Sequence, residues 1–239
     1  MLKIDLHIHT VLSGDSHSTM SEYIERAKKL KMKVIGISDH GPGINHVTSH
    51  NHFRSLRRIP PVIDGIRVLK GIEANIIDTK GNIDLNDDIL KNLDYTLASI
   101  HNGTPYKDKG ASINTLSYIN AIKSGKVKII SHPFQTEVET EIEPIAIAAC
   151  ENNVLLEVDL FYLKPKILNE KNKTKLKKMI EIVKIHGKKV IVNTDSHNIW
   201  ELGDDSVLTK ELKKELGLTD DLIINNYPDE LEKFLGVKF

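Results

Sequence analysis

The chain has 239 residues, of which 40% are apolar and 28% are charged, and 33 lysines and arginines balance 33 aspartates and glutamates. This size and composition are typical of one large globular domain with a sizeable core. The even charge argues against an extended basic surface for nucleic acid or anionic lipid. The single cysteine, Cys150, excludes an intramolecular disulfide and a cysteine-rich zinc site.

The first predicted strand begins at residue 3, so we expect no signal peptide. No apolar run reaches the ~18 residues that a membrane span requires. Together with the low cysteine content, these features predict a cytoplasmic protein without a membrane partner. The one unusual number in the composition is that of the histidines, of which there are 11.

Apolar, β-branched runs alternate with helical patterns along the whole chain. The predicted strands are residues 3–9, 33–40, 67–73, 94–101, 126–132, 154–159 and 189–195. The helical stretches include one that begins at a Thr19–Glu22 capping box and others over 112–124, 144–152 and 172–186. A further helix follows residue 205, and an amphipathic helix after Tyr227-Pro228 is predicted to close the fold.

Strands separated by helices indicate βαβ units and a parallel sheet. Their near-continuous apolar character indicates a sheet that is buried on both faces. We therefore predict an α/β fold, specifically a distorted (β/α)7 TIM-like barrel, as a single domain over residues 1–239. A dinucleotide-binding fold is disfavoured, because no glycine-rich phosphate loop follows any strand.

Histidines and carboxylates occur where nearly every predicted strand ends. They are His7, His9, His40, Glu73, His101, His132, Asp195 and His197, and the sixth strand offers Glu157 and Asp159 instead. In a parallel barrel all these strand ends open on one rim, where catalytic residues collect. The sequence therefore predicts that residues far apart in the chain meet in one bowl.

One histidine at a strand end is usually structural, but this set is hard to explain by packing. Imidazoles and carboxylates crowded together would destabilise one another unless a cation lay between them. Nitrogen and oxygen ligands without sulfur suit zinc, manganese or iron. Since a catalytic zinc takes about three protein ligands and a water, eight such residues predict two or three divalent ions that share a bridging carboxylate.

The motifs HIHT, SDHG, GIEANI, SIHN, ISHP and TDSH, in this order, resemble those of the PHP (polymerase and histidinol phosphatase) metal-dependent hydrolases. The resemblance is closest to the YcdX-type phosphatases and covers essentially the whole chain. It implies a distorted (β/α)7 barrel with a trinuclear metal centre at the strand carboxyl ends. The ligands it implies are His7, His9 and Asp195 for the first ion, Glu73 as the bridging carboxylate, His101 and His132 for the second ion, and His40 and His197 for the third.

The third ion would also need a residue from the loop after the first strand, where the chain departs from the YcdX-type pattern. An ungapped match places Asp15 where those relatives have histidine, and His17 is the alternative. We favour Asp15, because the match holds through Ser18-Thr19. A second departure is LEVDLFY in the sixth strand, which replaces a more polar segment and is expected to alter the substrate pocket.

The loop GPGINHVTSHNHFRSLRRIP after His40 also resembles the family's loop and carries several histidines and arginines. Arginine forks and imidazoles above a metal site suit a phosphate group. From the match with the family's loop we predict His52 and Arg57 as substrate-binding residues. The alternative is a solvated basic connection.

These observations predict a metal-dependent phosphatase, most plainly a phosphomonoesterase that uses a metal-bound hydroxide on a small phosphorylated substrate. Zinc is the favoured ion, with manganese or iron as alternatives, and Glu73 and Asp195 are the predicted catalytic carboxylates. The alternatives are histidinol phosphatase, a PHP-type nuclease or phosphodiesterase, an amidohydrolase, and a metal-storage or sensor protein. The even charge disfavours nucleic acid as a partner, and a homo-oligomer is left open.

Overall fold

A computed structural model of the protein describes residues 1–44 and 48–239. The strands in this part of the chain are β1 (Ile4–Asp5), β2 (Val34–Ile37), β3 (Val62–Ile63), β4 (Ile66–Lys70), β5 (Glu73–Asn75), β6 (Leu97–Ser99), β7 (Ile129–Ile130), β8 (Leu155–Asp159) and β9 (Ile191–Asn193). The helices are α1 (Met20–Lys29), α2 (His50–Ser55), α3 (Asp87–Leu90), α4 (Ala111–Lys123), α5 (Ile142–Glu151), α6 (Glu170–Ile185), α7 (Lys210–Leu216) and α8 (Pro228–Leu235).

The strands form two sheets, in the orders β1-β2-β4-β3 and β5-β6-β7-β8-β9. All pairs are parallel except β3–β4, and helices separate most of the parallel strands, so the predicted α/β class is confirmed. Each predicted strand overlaps an observed strand, although most observed strands are shorter than predicted. The Thr19–Glu22 capping box at the start of α1 is present as predicted.

The predicted strand 67–73 is divided between the two sheets, because β4 ends at Lys70 and β5 begins at Glu73. The ring of Tyr95 lies against the intervening Gly71 so closely that an added Cβ would be 2.3 Å from its Cζ. The Tyr95 hydroxyl donates to the carbonyl of Leu6 at 2.8 Å. Glycine is therefore required where the chain passes from one sheet to the other.

The strand pairing among the described residues forms two sheets and no single closed sheet. Single parallel bridges join the two sheets at Ile8–Ser196 and at His40–Glu73. At the first of these bridges the His9 amide donates to the Ser196 carbonyl at 2.9 Å. Both junctions lie beside residues that were predicted as metal ligands.

The β3–β4 hairpin was not predicted. Its turn is formed by Asp64 and Gly65, whose φ angles are 50° and 80°. An Asp-Gly pair with positive φ at both positions is the preferred two-residue hairpin turn. This hairpin extends the edge of the four-stranded sheet beyond the predicted parallel strands.

One apolar cluster receives residues from both sheets and is covered at one end by α8. Its members are Ile4, Leu6, Val34, Leu69, Tyr95, Leu97, Ile129, Leu155, Ile191, Ile224, Leu231 and Leu235. The strands therefore surround a shared core, and α8 is the closing element that was expected. Within residues 1–44 and 48–239, no helix combines the length and apolarity needed to cross a bilayer.

Candidate metal centre

The predicted ligands lie together, most of them just past the carboxyl ends of strands, whereas Glu73 is the first residue of β5 and Asp15 lies in the loop before α1. The ring centroids of His9 and His40 are 4.3 Å apart, and those of His9 and His197 are 4.4 Å apart. The rings of His101 and His132 are separated by 5.6 Å on the other side of the cluster. Strands from both sheets thus direct histidines into one buried site.

Glu73, at the start of β5, occupies the centre of this cluster and is 1% exposed. Its two carboxylate oxygens face different imidazoles. Oε1 lies 3.0 Å from His132 Nε2 and 3.3 Å from His101 Nε2, whereas Oε2 lies 2.9 Å from His40 Nδ1, 3.4 Å from His7 Nε2 and 3.5 Å from His9 Nε2. This division is the geometry that a bridging carboxylate requires.

Asp195 lies on the opposite side of the first histidine pair. Its Oδ1 is 3.0 Å from His9 Nε2 and 3.4 Å from His7 Nε2. Both Asp195 and His132 have positive φ angles, of 51° and 34°. Because such angles are strained for residues other than glycine, the fold holds these two side chains at a backbone cost that is typical of functional sites.

Within the described residues, the atoms that could hold a cation fall into overlapping groups, in each of which they lie within 4.8 Å of one another. The groups are His7–His9–Asp195, His40–Glu73–His101, His9–Asp15–His40–His197 and His7–Glu157–Asp159. His9 and His40 each belong to two of the first three groups. The groups thus bring together every predicted ligand except His132, which belongs to none of them and lies 3.0 Å from Glu73 Oε1 through its Nε2.

The structure separates the two candidates in the first loop. Asp15 Oδ2 lies 3.3 Å from His40 Nε2 and 3.3 Å from His197 Nε2. His17 is exposed, belongs to none of these groups, and is connected to the site only through its backbone amide, which donates to the His197 carbonyl at 2.8 Å. The geometry thus favours Asp15 as the loop residue.

We expect Asp15→Asn to lower both the metal content and the catalytic rate, because it removes the anionic oxygen between His40 and His197. The matched change His17→Asn should leave both unchanged. The expected loss for Asp15→Asn is about 10- to 100-fold in activity. Elemental analysis and steady-state kinetics check this expectation, and the opposite ranking of the two variants would assign the role to His17.

Five of the histidines share one arrangement, in which Nδ1 is held by a protein oxygen. The pairs are His7 with Glu157 at 2.9 Å, His9 with Ser13 Oγ at 3.0 Å, His101 with Asn75 Oδ1 at 2.7 Å, His132 with the Gln135 carbonyl at 3.2 Å and His197 with the Asp195 carbonyl at 2.9 Å. Partners at Nδ1 fix the tautomer and ring orientation. At His7 and His9 they leave Nε2 without a partner among the described residues, whereas Nε2 of His101 and of His132 lies 2.9 Å from Ser99 Oγ and 3.0 Å from Glu73 Oε1.

Glu157, on β8, connects several parts of the site. Besides the His7 ring, it accepts hydrogen bonds from Asn193 Nδ2 at 2.8 Å and from the His132 amide at 2.9 Å. The sequence placed Glu157 at the rim but assigned no role to it. The sequence feature that could have indicated its supporting role is that Glu157 is a carboxylate on a strand without a histidine.

Several buried polar atoms in this site have no hydrogen-bond partner among the described residues. They include His7 Nε2, His9 Nε2, His40 Nδ1 and Asp195 Oδ1. Leaving such atoms unpaired costs about 1–3 kcal/mol each, so buried polar atoms without partners are rare in native proteins. Nitrogen and oxygen atoms in this arrangement fit a divalent cation.

The electrostatics differ between the residues of the site. Burial opposes ionisation of Glu73, but the neighbouring charges of His101, His7 and His40 hold its pKa well below the ordinary value. Burial and then the charge of His40 lower the pKa of His9 to about 4. Burial also opposes protonation of His40, but the charge of Glu73 outweighs it and raises the pKa of His40 to about 10. Around neutral pH, Glu73 and His9 are therefore in the forms that bind metal, whereas a cation would have to displace the proton of His40.

The two predicted substrate-binding residues are placed differently. His52 is largely buried on α2, and its Nε2 lies 2.9 Å from Asp39 Oδ2. Asp39 also accepts from Ser13 Oγ at 2.8 Å, which connects His52 to the support of His9. Arg57 is exposed. His46, in the same loop, lies outside the described residues.

Comparisons with known proteins agree with these observations. The sequence model of the PHP domain family matches residues 5–214. A relative from Shewanella halifaxensis (strain HAW-EB4), named "Probable phosphatase", is 35% identical over 236 residues, which are 98% of this chain and 93% of that protein.

Solved structures share the fold at low sequence identity. Histidinol phosphate phosphatase from Lactococcus lactis, complexed with zinc, L-histidinol and phosphate, superposes with a TM-score of 0.60 at 16% identity, over 90% of this chain and 94% of that chain. A chain in the structure of archaeal ribonuclease P with mature tRNA has a TM-score of 0.54 at 15% identity, over 96% of this chain and 93% of that one. The matched length and the assembled motifs together show that this chain belongs to the PHP domain family.

Proposed function

We propose that this protein is a metal-dependent phosphatase that hydrolyses small phosphomonoesters. The observation that carries the proposal is the buried cluster of histidines around Glu73, in which His7 Nε2, His9 Nε2, His40 Nδ1 and Asp195 Oδ1 have no hydrogen-bond partner among the described residues. The predicted enzyme class, a hydrolytic phosphatase, agrees with the PHP family match and with the name of the Shewanella relative.

We propose that the cluster holds two or three divalent ions, with zinc favoured because the Lactococcus phosphatase was solved with zinc. The groups built on His7–His9–Asp195, on Glu73–His101 with His132, and on Asp15–His40–His197 would hold them. When bound, such ions lower the pKa of a water ligand and offset the charge of a phosphoryl group.

The chain's own residues would prepare this site before any substrate enters. Glu157, Ser13 and Asn75 hold the rings of His7, His9 and His101 in place, so little reorganisation accompanies binding. The ionised carboxylates Glu73 and Asp195 balance cationic charge inside the protein. Exposed Arg57 is the proposed contact for the substrate phosphate, and His52 is proposed to assist it from its position on Asp39.

We also propose that residues 1–239 form one domain with the architecture of a distorted (β/α)7 barrel. The single bridges at Ile8–Ser196 and His40–Glu73 support a ring of seven parallel strands that narrows to isolated pairs at two junctions. The core cluster that both sheets share supports the same architecture.

A nuclease is the less favoured alternative, and the lysine-rich helix α6 bears on it. Lys171 and Lys175 pair with Glu139, and Lys173 and Lys177 pair with Glu215, at 2.5–3.3 Å. These lysines are compensated by nearby acids, so they do not form the continuous cationic surface that binds a nucleic-acid backbone.

A substrate comparison tests the proposed function. We expect the zinc-loaded protein to hydrolyse an aryl phosphate, a sugar phosphate and L-histidinol phosphate faster than a bis-aryl phosphodiester or single-stranded DNA. The measurement is kcat/KM for each substrate, with metal content determined on the same sample. Faster cleavage of the diester or of DNA would replace the phosphatase proposal with the nuclease, and a selective preference for L-histidinol phosphate would identify histidinol phosphatase.

A further inference from the structure

Tyr162 lies at the rim of the metal centre and is not part of the proposed ligand set. It follows β8 in a short 3-10 segment, Phe161–Leu163. Its ring packs edge-on against that of His132, with 5.4 Å between the centroids and 66° between the planes. The Phe161 ring also packs edge-on against the Tyr162 ring, with 5.3 Å between the centroids. A side chain predicted only to alter the pocket is thus in direct contact with a proposed metal ligand.

The hydroxyl of Tyr162 has no hydrogen-bond partner among the described residues. By contrast, the four buried tyrosines all have one. Tyr23 donates to the Ser196 carbonyl, Tyr95 donates to the Leu6 carbonyl, Tyr106 donates to Asn114, and Tyr118 accepts from the Ile100 amide. Tyr162 is half-buried, and its hydroxyl is not among the buried unpaired atoms, so it is open to solvent beside the metal centre and free to bond a ligand.

The chemistry of the hydroxyl determines which kind of partner fits. A phenol is protonated at neutral pH, so the hydroxyl of Tyr162 can donate a hydrogen bond. Its ideal partner is an oxygen that only accepts, and phosphoryl oxygens are of this kind.

We propose that Tyr162 is a substrate-contacting residue, whose hydroxyl donates a hydrogen bond to a phosphoryl oxygen of a phosphomonoester bound at the metal centre. Its ring forms an aromatic wall of the pocket beside His132. This inference rests on the proposed function and deepens it. It assigns recognition of the phosphate group to the segment after β8 as well as to Arg57.

The test compares Tyr162→Phe with the wild type, both loaded with zinc. The change removes the hydroxyl and keeps the ring against His132. Three quantities are measured: the metal content, the Kd for inorganic phosphate by calorimetry, and kcat/KM for an aryl phosphate. Tyr227→Phe is the matched control, because Tyr227 packs on Lys189 beside α8, away from the centre.

We expect Tyr162→Phe to weaken phosphate binding by about tenfold or more, since a hydrogen bond to a charged group contributes about 1.5–3 kcal/mol. Metal content should stay at the wild-type level, and Tyr227→Phe should behave as the wild type. If the Kd and kcat/KM of Tyr162→Phe remain within about twofold of wild type, a difference too small for such a bond, the inference is wrong.

Loss of metal from Tyr162→Phe would also overturn the inference, because it would show that the residue merely supports His132. If Tyr162→Phe does not fold, a comparison of Tyr162→Gln with Tyr162→Leu provides the test. The glutamine variant keeps a hydrogen-bond donor and should bind phosphate more tightly than the leucine variant. Equal affinities of the two variants for phosphate would contradict the inference. Failure of the proposed function is distinguishable, because then the wild type itself would hydrolyse no phosphomonoester.

Discussion

Replacing Glu73 with glutamine is expected to remove metal and activity together. Glu73 is a fully buried carboxylate with five imidazole nitrogens within 3.5 Å of its two oxygens. A neutral amide of the same shape cannot balance cations, and its NH2 group would face imidazole nitrogens instead of accepting from them. Changes to ligand supports alone cost 10- to 100-fold, so we expect the loss here to be about 100-fold or greater.

Elemental analysis and kcat/KM for an aryl phosphate measure this effect. Glu230→Gln is the matched control, since Glu230 lies on α8 and forms an exposed pair with Lys189 at 2.9 Å. Circular dichroism and thermal unfolding establish that both variants are folded. A Glu73→Gln protein with full metal content and full activity would refute the bridging role.

Removal of metal by chelation is expected to have the second large effect on activity. Exhaustive treatment with a chelator should abolish phosphatase activity, and zinc or manganese added back should restore it, because the inward-facing atoms of His7, His9 and Asp195 have no other partner among the described residues. Metal should also stabilise the fold, since the ligands come together only in the folded chain. A cation at a hundred times its Kd contributes about 2.7 kcal/mol, which for this chain length raises Tm by roughly 5–10 °C.

The control for chelation is the Glu73→Gln variant. Its Tm should respond much less to zinc, because the shared carboxylate is missing. Wild-type protein that keeps its full rate after metal is shown to be absent would contradict a metal-dependent mechanism. A zinc response of equal size in the variant would assign the stabilisation to binding elsewhere.

The clustering of the candidate ligands could be predicted because it follows from topology. His7, His40, His101 and His132 each come just after a run that is apolar enough to be a buried strand. Parallel strands place such residues at one end of the fold whatever the exact strand lengths. For this reason the rim was predicted although β1 and β7 have only two residues each.

The orientation of each ring could not be predicted. Which nitrogen of a histidine faces inward depends on what holds the other nitrogen, and those partners are as varied as Glu157, Ser13 and the carbonyl of Gln135. No spacing rule connects Glu157 with His7, because the two residues lie on strands far apart in the chain. The same applies to His52, whose contact with Asp39 depends on how α2 packs against the end of β2.

The passage from β4 to β5 shows a different limit of the sequence. The run RVLKGIE, residues 67–73, was predicted as one strand. The Tyr95 ring that presses on Gly71 comes from a segment more than twenty residues later. A tertiary contact therefore decided where one sheet ends and the next begins, and local propensity could not reveal it.

Because the candidate ligands come from two sheets, bound cations would also connect those sheets. His9 and His40 extend from the four-stranded sheet, whereas Glu73 and Asp195 extend from the five-stranded one, and a single backbone bridge accompanies each junction. Cations held between these residues would tie the two sheets together as a cross-link does in a chain without disulfides. Amide hydrogens at Ser196 and Gly41 should then exchange slowly in the loaded protein and faster once the tie is removed.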